Sequence, residues 1–347
     1  MAESSVDMVD GPGAGQVLMK GISGDGNKNN NNKELENKVD VDARGSSGDS
    51  GFFTKRKTTP SCVSHYKMDF QNRGYAVIVN NENFHWSTGM NKRVGTDIDA
   101  RNLQMIFTRL GFEVDMQKDI KCIALHELID KYAKEDHSNS DCFMFAILSH
   151  GDNGCIYGTD GTIRIKQLVD KFRGDKCPSL AGKPKIFMFQ ACRGMEYEIP
   201  VSPAVDVVDA GQEGDSDENV LCVDSGPVPT LPCGSDFLFC YSVAEGFYSF
   251  RDTLFGSWYI QEFTDVMESL VLDVPDAKRE VVDFCDVMTA VNRKVASRHV
   301  SRSSSVNARG KKQMPCYLSM FTKKLVLVPK NGDRPHKKKH GLLDFFV

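Results

Sequence analysis

Short apolar runs alternate along this chain with longer stretches in which apolar residues recur every three or four positions. Tyr75–Val79, Asp141–Ser149 and Ile186–Phe189 are almost continuously apolar, as is typical of strands buried on both faces. Further strands are predicted near 112–116, at 236–241 and at 317–328. Because strands alternate with segments of helical length, the pattern predicts an α/β fold with a mostly parallel sheet.

The helical stretches carry their apolar residues on one face. The first is predicted to run from a cap at Thr96 or Asp97 to Leu110, where Gly111 favours termination. The second is predicted from its apolar positions, which are Ile123, Leu125, Leu128, Ile129 and Tyr132. Further helices are predicted at 165–172, 257–270 and 280–298, the last with an apolar face that includes Val281, Val282, Phe284, Val287, Met288 and Val291.

Three segments show neither period. Residues 1–63 are rich in Gly, Asn, Ser, Asp and Lys, and we predict that they are disordered because they cannot bury enough apolar area. The stretch from Met195 to Ser235 is predicted to be an exposed linker, a type of segment prone to proteolysis. Residues 329–347 carry the basic run Lys337–His340, which we interpret as part of a solvated tail.

Composition narrows the class of protein. The 347 residues, 40% of them hydrophobic, suffice for one large domain with a substantial core. The net charge of −4, with both signs mixed, gives no indication of a nucleic-acid or membrane partner, and no apolar run approaches the roughly 20 residues of a membrane span. The eleven cysteines form no Cys-x-x-Cys pair and no zinc-binding spacing, so we expect no metal or other cofactor and predict a reducing, cytoplasmic location.

Candidate chemistry lies at the ends of two predicted strands. Ile186–Phe189 is followed by Gln-Ala-Cys-Arg-Gly, which brings Cys192 to a turn at the carboxyl end of the strand. The strand in 141–149 is followed by His150 and Gly151. If the two strands are parallel neighbours, Cys192 and His150 meet at one sheet edge, which is the arrangement that an activated thiol needs. A packed core thiol is the alternative for Cys192 alone.

Together these motifs resemble the caspase family, of which Gln-Ala-Cys-Arg-Gly is a signature. The resemblance extends from about Tyr66 to Pro329 and fits the executioner type best, of an insect-like kind. It implies a three-layer sandwich with a mostly parallel sheet of about six strands flanked by helices. It also implies a cysteine endopeptidase that cleaves after Asp.

The resemblance assigns roles to the candidate residues. Cys192 would be the nucleophile and His150 the proton donor, with the imidazole oriented by a backbone carbonyl. The backbone N–H groups of Gly151 and Cys192 would form the oxyanion hole. We interpret Arg193, beside the nucleophile, as a structural ion-pair partner.

Substrate selection is expected from a second set of residues. Arg93, Gln190 and Arg251 match the family's pocket for an Asp carboxylate, which the fork of an arginine grips well. Tyr248–Arg251 would pair with the bound peptide as an added strand, and the outer subsites would be walled by aromatic rings. The further substrate-binding residues predicted in this way are Ser249, Tyr248, Phe250 and Trp258. Phe250 stands where many relatives have Trp, so the second subsite is expected to differ in shape, and Asp-x-x-Asp peptides are expected to be preferred.

The linker supplies candidate activation sites. Asp224 is predicted as the initiator's cleavage site and Asp209 as a site of self-trimming, so that 64–209 would be the large subunit, 210–224 an excised piece and 225–347 the small subunit. Asp42 is a candidate for removal of a prodomain covering 1–63. The exposed Ala43 would then suit an inhibitor-of-apoptosis protein, and the family implies a homodimer of processed chains.

The sequence therefore predicts a zymogen that becomes an executioner of apoptosis. A catalytically silent, caspase-like regulator is the alternative, although such proteins typically lose the Cys, the His or a pocket Arg. A protease cutting after Arg or Lys would need an acidic pocket, which the two arginines argue against.

Overall fold

The computed structural model describes residues 6–8, 63–152, 154–194, 196–200, 232–275, 281–301 and 306–330. The strands are β1 (Val6–Met8), β2 (Tyr75–Asn80), β3 (Glu113–Lys118), β4 (Phe143–Leu148), β5 (Gly151–Asp152), β6 (Cys155–Gly158), β7 (Gly161–Arg164), β8 (Lys185–Gln190), β9 (Phe237–Tyr241), β10 (Phe250–Asp252), β11 (Gly256–Ser257) and β12 (Cys316–Ser319). The α-helices are α1 (Thr96–Arg109), α2 (Cys122–Lys134), α3 (Ile165–Val169), α4 (Trp258–Met267) and α5 (Phe284–Ser297).

Six strands form the central sheet, in the order β12-β9-β8-β4-β2-β3. All neighbours are parallel except β12, which pairs antiparallel with β9. The apolar runs of β4 and β8 lie in the middle, where every residue of both strands is buried. This confirms the predicted α/β fold with its mostly parallel sheet.

The strands bury alternate residues against two different helical layers, as the period of two in a strand requires. Ile78, Met144 and Met188 face the layer of α1, α4 and α5. Phe145 and Phe187 face α2, α3 and the ribbon that includes β6 and β7. The molecule therefore has three layers, helices on sheet on helices, which agrees with the predicted sandwich.

Two small antiparallel sheets lie outside the central one. β5, β6 and β7 form a ribbon directly after β4, and β10 pairs on one edge with β11 and on the other with β1. β1 belongs to the same compact unit as the chain from Val63 onward. The sequence pattern did not predict the ribbon or the β1 pairing, because strands of two to four residues give almost no period.

Several predicted boundaries were wrong for identifiable reasons. α1 starts at Thr96 after Gly95, and neither Thr96 nor Asp97 is the cap residue. The last helix starts only at Phe284, where the Asp283 carboxylate accepts a hydrogen bond from the Cys285 backbone nitrogen, so Val281 precedes it and is 72% exposed. Acidic caps of this kind satisfy backbone donors that would otherwise lack partners.

Two apolar patterns were also misread. Ile123 lies in the first turn of α2 and is 65% exposed, so it does not belong to the buried face. The final strand ends at Ser319, and the chain beyond it buries Leu325 and Leu327 in the core without joining the sheet. None of the helices in the described ranges is long and apolar enough to span a membrane.

Candidate active site

Register places the two candidate catalytic residues at one sheet edge. Leu148, the last residue of β4, pairs with Gln190, the last residue of β8. His150 and Cys192 each follow two residues later, on adjacent parallel strands. The Ser149 backbone nitrogen also donates to the Gln190 carbonyl at 3.2 Å, which extends the pairing towards the site. The sequence argument that Cys and His meet at the carboxyl ends of neighbouring strands therefore agrees with the observed geometry.

His150 is held by backbone groups and rings. Its Nε2 lies 2.7 Å from the carbonyl oxygen of Asn91, and the ring is fully buried. The Phe84 ring packs on the imidazole with centroids 4.6 Å apart. The group in contact with the imidazole is thus a backbone carbonyl. Asn91 could not have been identified from the sequence, because a backbone carbonyl leaves no side-chain pattern.

Gly151 packs directly against the backbone of the nucleophile. A Cβ atom placed on Gly151 would lie 2.7 Å from the Cys192 carbonyl oxygen and 2.8 Å from the Ala191 Cβ. Both distances are shorter than van der Waals contact allows, so only a residue without a side chain fits. The predicted oxyanion-hole pair, Gly151 and Cys192, is therefore brought together in space.

The thiol of Cys192 contacts the backbone of Ser249, the residue before β10. The Ser249 backbone nitrogen is 3.2 Å from Sγ, in the geometry of a donor to sulfur, and Cys192 is 1% exposed. The turn after Cys192 is fixed by Arg193, whose guanidinium pairs with Glu245 at 3.2 Å and lies over the Tyr241 ring. Arg193 therefore forms an ion pair, as the sequence interpretation expected.

The three predicted pocket residues are all buried. Arg93 is closed to solvent and donates to the Asn81 carbonyl and the Thr96 hydroxyl, at 3.1 and 2.8 Å. Arg251 is 4% exposed, and its Nε donates to the carbonyl of Val94, which follows Arg93 in the chain. Two buried guanidinium groups thus lie on converging segments, which makes a strongly positive local environment.

Gln190 is the third pocket residue. Its Nε2 donates to the Ser249 hydroxyl at 3.0 Å, and its Oε1 has no hydrogen-bond partner among the described residues. A hydroxyl both donates and accepts, so the amide can also be turned to present its NH2 group to a ligand. The amide can therefore offer a donor to a carboxylate beside the two arginines.

A buried acid behind the arginines was missed from the sequence. Asp99 is fully closed to solvent and accepts hydrogen bonds from the backbone nitrogen and the hydroxyl of Ser257, at 2.8 and 2.6 Å. Burial raises its pKa to about 7, while Ser257 and the charges of Arg93 and Arg251 act in the opposite direction. An acid in the first helical turn looks like an ordinary solvated residue, so no pattern revealed its burial.

Three aromatic residues were predicted to wall the outer subsites, and the structure buries two of them. Phe250 and Trp258 pack together with centroids 5.0 Å apart and are 1% and 4% exposed. Tyr248 stays partly exposed and packs on Tyr197, whose ring also stacks on Phe250. Burial raises the pKa of Tyr248, with a smaller contribution from Cys192. These aromatic residues therefore form a cluster beside the nucleophile. Tyr197 belongs to this cluster, although the sequence pattern placed it in the linker.

Two further buried cysteines are poor candidates for a second nucleophile. Burial raises the pKa of Cys142 to about 12 and that of Cys240 further, which makes both thiols poor nucleophiles. No cluster of three potential metal ligands occurs within the ranges that the structure describes. The predicted processing residues Asp42, Asp209 and Asp224 lie outside those ranges.

Comparisons with known proteins agree with this geometry. The sequence model of the family described as "Caspase domain" matches residues 73–326. Caspase-6 of Rattus norvegicus is 44% identical over 280 residues, which are 81% of this chain and 97% of that protein. Caspase-3 of Mus musculus is 43% identical over 264 residues, covering 76% and 86% respectively.

These relatives fit the executioner-like resemblance, but the expected insect-like kind is not borne out by them. The match includes Arg93, His150, Cys192 and Arg251, and it spans the whole of the central sheet. The chain belongs to the caspase family and is a cysteine-type endopeptidase of the Asp-specific kind that acts in apoptosis.

Proposed function

We propose that Cys192 attacks the carbonyl of the scissile bond and that His150 protonates the leaving amine. The observation that carries this proposal is the register of β4 and β8, which brings both residues to one edge with Gly151 packed against Cys192. The backbone N–H groups of Gly151 and Cys192 stabilise the oxyanion of the tetrahedral intermediate. The Asn91 carbonyl oxygen, 2.7 Å from Nε2, holds the imidazole in its orientation.

The Asp side chain of the substrate binds between Arg93, Arg251 and Gln190. Both guanidinium groups are already buried, so their desolvation cost is borne by the fold before the substrate arrives. A carboxylate entering this environment gains charge-assisted hydrogen bonds that a neutral residue cannot form. Because burial raises the pKa of Asp99 to about 7, this carboxyl adds little negative charge to the pocket below neutral pH.

Residues N-terminal to that Asp pair with β10. A peptide that has its Asp at Cys192 and extends along 249–251 must run antiparallel to β10. β10 then has the peptide on one edge and β11 on the other. Tyr248, Phe250 and Trp258 wall the outer subsites, and the smaller ring of Phe250 gives the second subsite a different shape. We expect a preference for Asp-x-x-Asp sequences.

The enzyme is made as a zymogen of the executioner type. An upstream initiator cuts after Asp224, the enzyme trims itself after Asp209, and the cut after Asp42 presents Ala43 to an inhibitor-of-apoptosis protein. Two features of the sequence support this proposal: each site is an Asp in a segment without a helical or strand period, and Asp206–Asp209 repeats the preferred substrate pattern. The working location is the cytoplasm.

Processed chains associate as a homodimer. β12 is at the end of the sheet and has a neighbour on one side only among the described strands, and Leu318 within it is 57% exposed. An edge strand of this kind is open to pairing with a second copy.

Cleavage of a fluorogenic Asp-Glu-Val-Asp peptide tests the proposal, with Cys192→Ala and with a peptide bearing Asn in place of the last Asp as controls. We expect activity that is lost in the variant and at least 100-fold weaker on the Asn peptide, the size of a lost charge-assisted contact. Absence of cleavage after the linker has been cut at Asp224 would instead favour a silent regulator.

A further inference from the structure

An N-terminal strand occupies the edge of β10 that the proposed function reserves for substrate. β1 pairs antiparallel with β10 in the register Val6 with Asp252, Asp7 with Arg251 and Met8 with Phe250. β11 pairs with β10 on its other edge. With both edges filled, β10 has no free edge on which an external peptide could add as a strand.

The direction of β1 is that of a substrate. Because the pairing is antiparallel, β1 advances from Asp252 towards Phe250, and the next residue on that side, Ser249, has its nitrogen 3.2 Å from the Cys192 sulfur. A bound peptide with its Asp at the nucleophile would run the same way. The chain therefore enters the cleft with the polarity of a substrate.

The sequence of this segment matches the proposed specificity. Residues 7–10 read Asp-Met-Val-Asp, an Asp-x-x-Asp pattern, and Gly11 follows. Asp7 and Met8, the first two residues of this pattern, pair with Arg251 and Phe250. The segment thus combines a strand on β10 with the residues that the pocket is expected to prefer.

We propose that the N-terminal segment containing β1 is an internal competitor that occupies the enzyme's own peptide-binding strand. This inference rests on the proposed function, since it assumes that external peptides also bind along β10. A tethered strand acts at an effective concentration in the millimolar range, so it competes well with dilute external peptide even when its own affinity is modest. The competitor lowers the apparent affinity for substrate and leaves the catalytic step intact once substrate is bound.

Hydrogen exchange tests the pairing directly. In a Cys192→Ala background, which prevents self-cleavage, the full chain is compared with a variant carrying Asp7→Pro and Met8→Pro, because proline cannot donate to the strand pairing. A matched control carries Asn30→Pro and Asn31→Pro. We expect the amide of Arg251, which is paired with Asp7, to exchange at least about tenfold faster in the first variant only, whereas the amide of Phe250, which donates to the Gln313 side chain, should not change. Equal exchange in all three chains would overturn the proposal.

Steady-state kinetics test the competition. The segment is retained in active, linker-cut enzyme by Gly11→Pro, which is meant to block a cut after Asp10 while leaving Asp10 itself in place, and by Asp42→Asn. The same proline pairs are then added. We expect Asp7→Pro with Met8→Pro to lower KM for the Asp-Glu-Val-Asp peptide at least about fivefold with kcat unchanged, since an internal competitor is removed. An unchanged KM would refute internal competition. Absence of cleavage by every chain would refute the proposed function instead, and the exchange experiment would still report on the pairing.

Discussion

The carboxylate of Asp99 accepts two hydrogen bonds from Ser257, one from the backbone nitrogen and one from the hydroxyl, in a position closed to solvent. Ser257 ends β11, the partner strand of β10, so this contact ties the first turn of α1 to the proposed substrate-binding strand. Asp99 also interacts electrostatically with Arg93 and Arg251. One buried carboxyl group therefore interacts with both pocket arginines.

Asp99 should make stability depend on pH. Burial raises its pKa from 3.8 to about 7, so the folded chain binds this proton more tightly than the unfolded chain. The resulting stabilisation is complete below about pH 4, declines as pH rises through 7 and is absent above it. Asp99→Asn should remove a decline on the order of a few kcal/mol, measured by urea unfolding between pH 4 and 8 in a Cys192→Ala background. Parallel curves for the two chains would contradict this assignment.

Gly151 should tolerate no side chain. The Cβ of Gly151→Ala would lie 2.7 Å from the Cys192 carbonyl oxygen, so the nucleophile's backbone must shift. A displacement of this kind should lower kcat at least about 100-fold, because catalytic geometry is sensitive to shifts of an ångström. Gly161→Ala is the matched control, since its Cβ would meet only the Cys122 sulfur at an ordinary 3.6 Å. Similar kcat losses in the two variants would argue against the steric explanation.

Apolar runs and one short motif were enough to predict the sheet and the position of its chemistry. β4 and β8 are buried on both faces, so their sequences are continuous apolar runs and cannot be mistaken for surface strands. Their parallel pairing then follows from the helix-length connections between them. Cys192 and His150 could be found because each ends such a run.

Contacts made by the backbone, and strands of only a few residues, could not be predicted from the sequence. Asn91 contributes a carbonyl to His150, and β1 pairs through its main chain, so neither depends on a recognisable side-chain pattern. Asp99 was missed because a helical first turn favours acids in general, and its burial results only from the packing of Ser257 against α1. Such backbone contacts and the burial of an acid depend on which elements pack together in the folded chain, and a local sequence pattern does not show this.

Breaking the buried ion pair of Arg73 and Asp141 should lower the stability more than replacing both of its members. Arg73 donates to the Asp141 carboxylate at 3.0 Å and to the carbonyls of Leu110 and Val328, and Lys330 also reaches Asp141. Removing one partner leaves an uncompensated buried charge, so Asp141→Leu should cost about 3–5 kcal/mol in urea unfolding. Arg73→Met added to Asp141→Leu should recover much of that loss. A double variant less stable than Asp141→Leu would show that the arginine's carbonyl contacts dominate.

Gln190→Glu should reverse the charge preference of the pocket. The Ser249 hydroxyl, 3.0 Å from the Gln190 amide nitrogen, can donate to a Glu carboxylate as readily as it accepts from the amide, so the fold should be retained. The new negative charge beside Arg93 and Arg251 repels a substrate carboxylate but does not repel a neutral Asn side chain. We expect the ratio of kcat/KM for Asp over Asn peptides to fall at least about 100-fold, the effect of like charges in a desolvated site. Gln190→Met, which removes the amide without adding charge, should lower this ratio much less, and equal effects of Glu and Met would show that Gln190 does not face the substrate carboxylate.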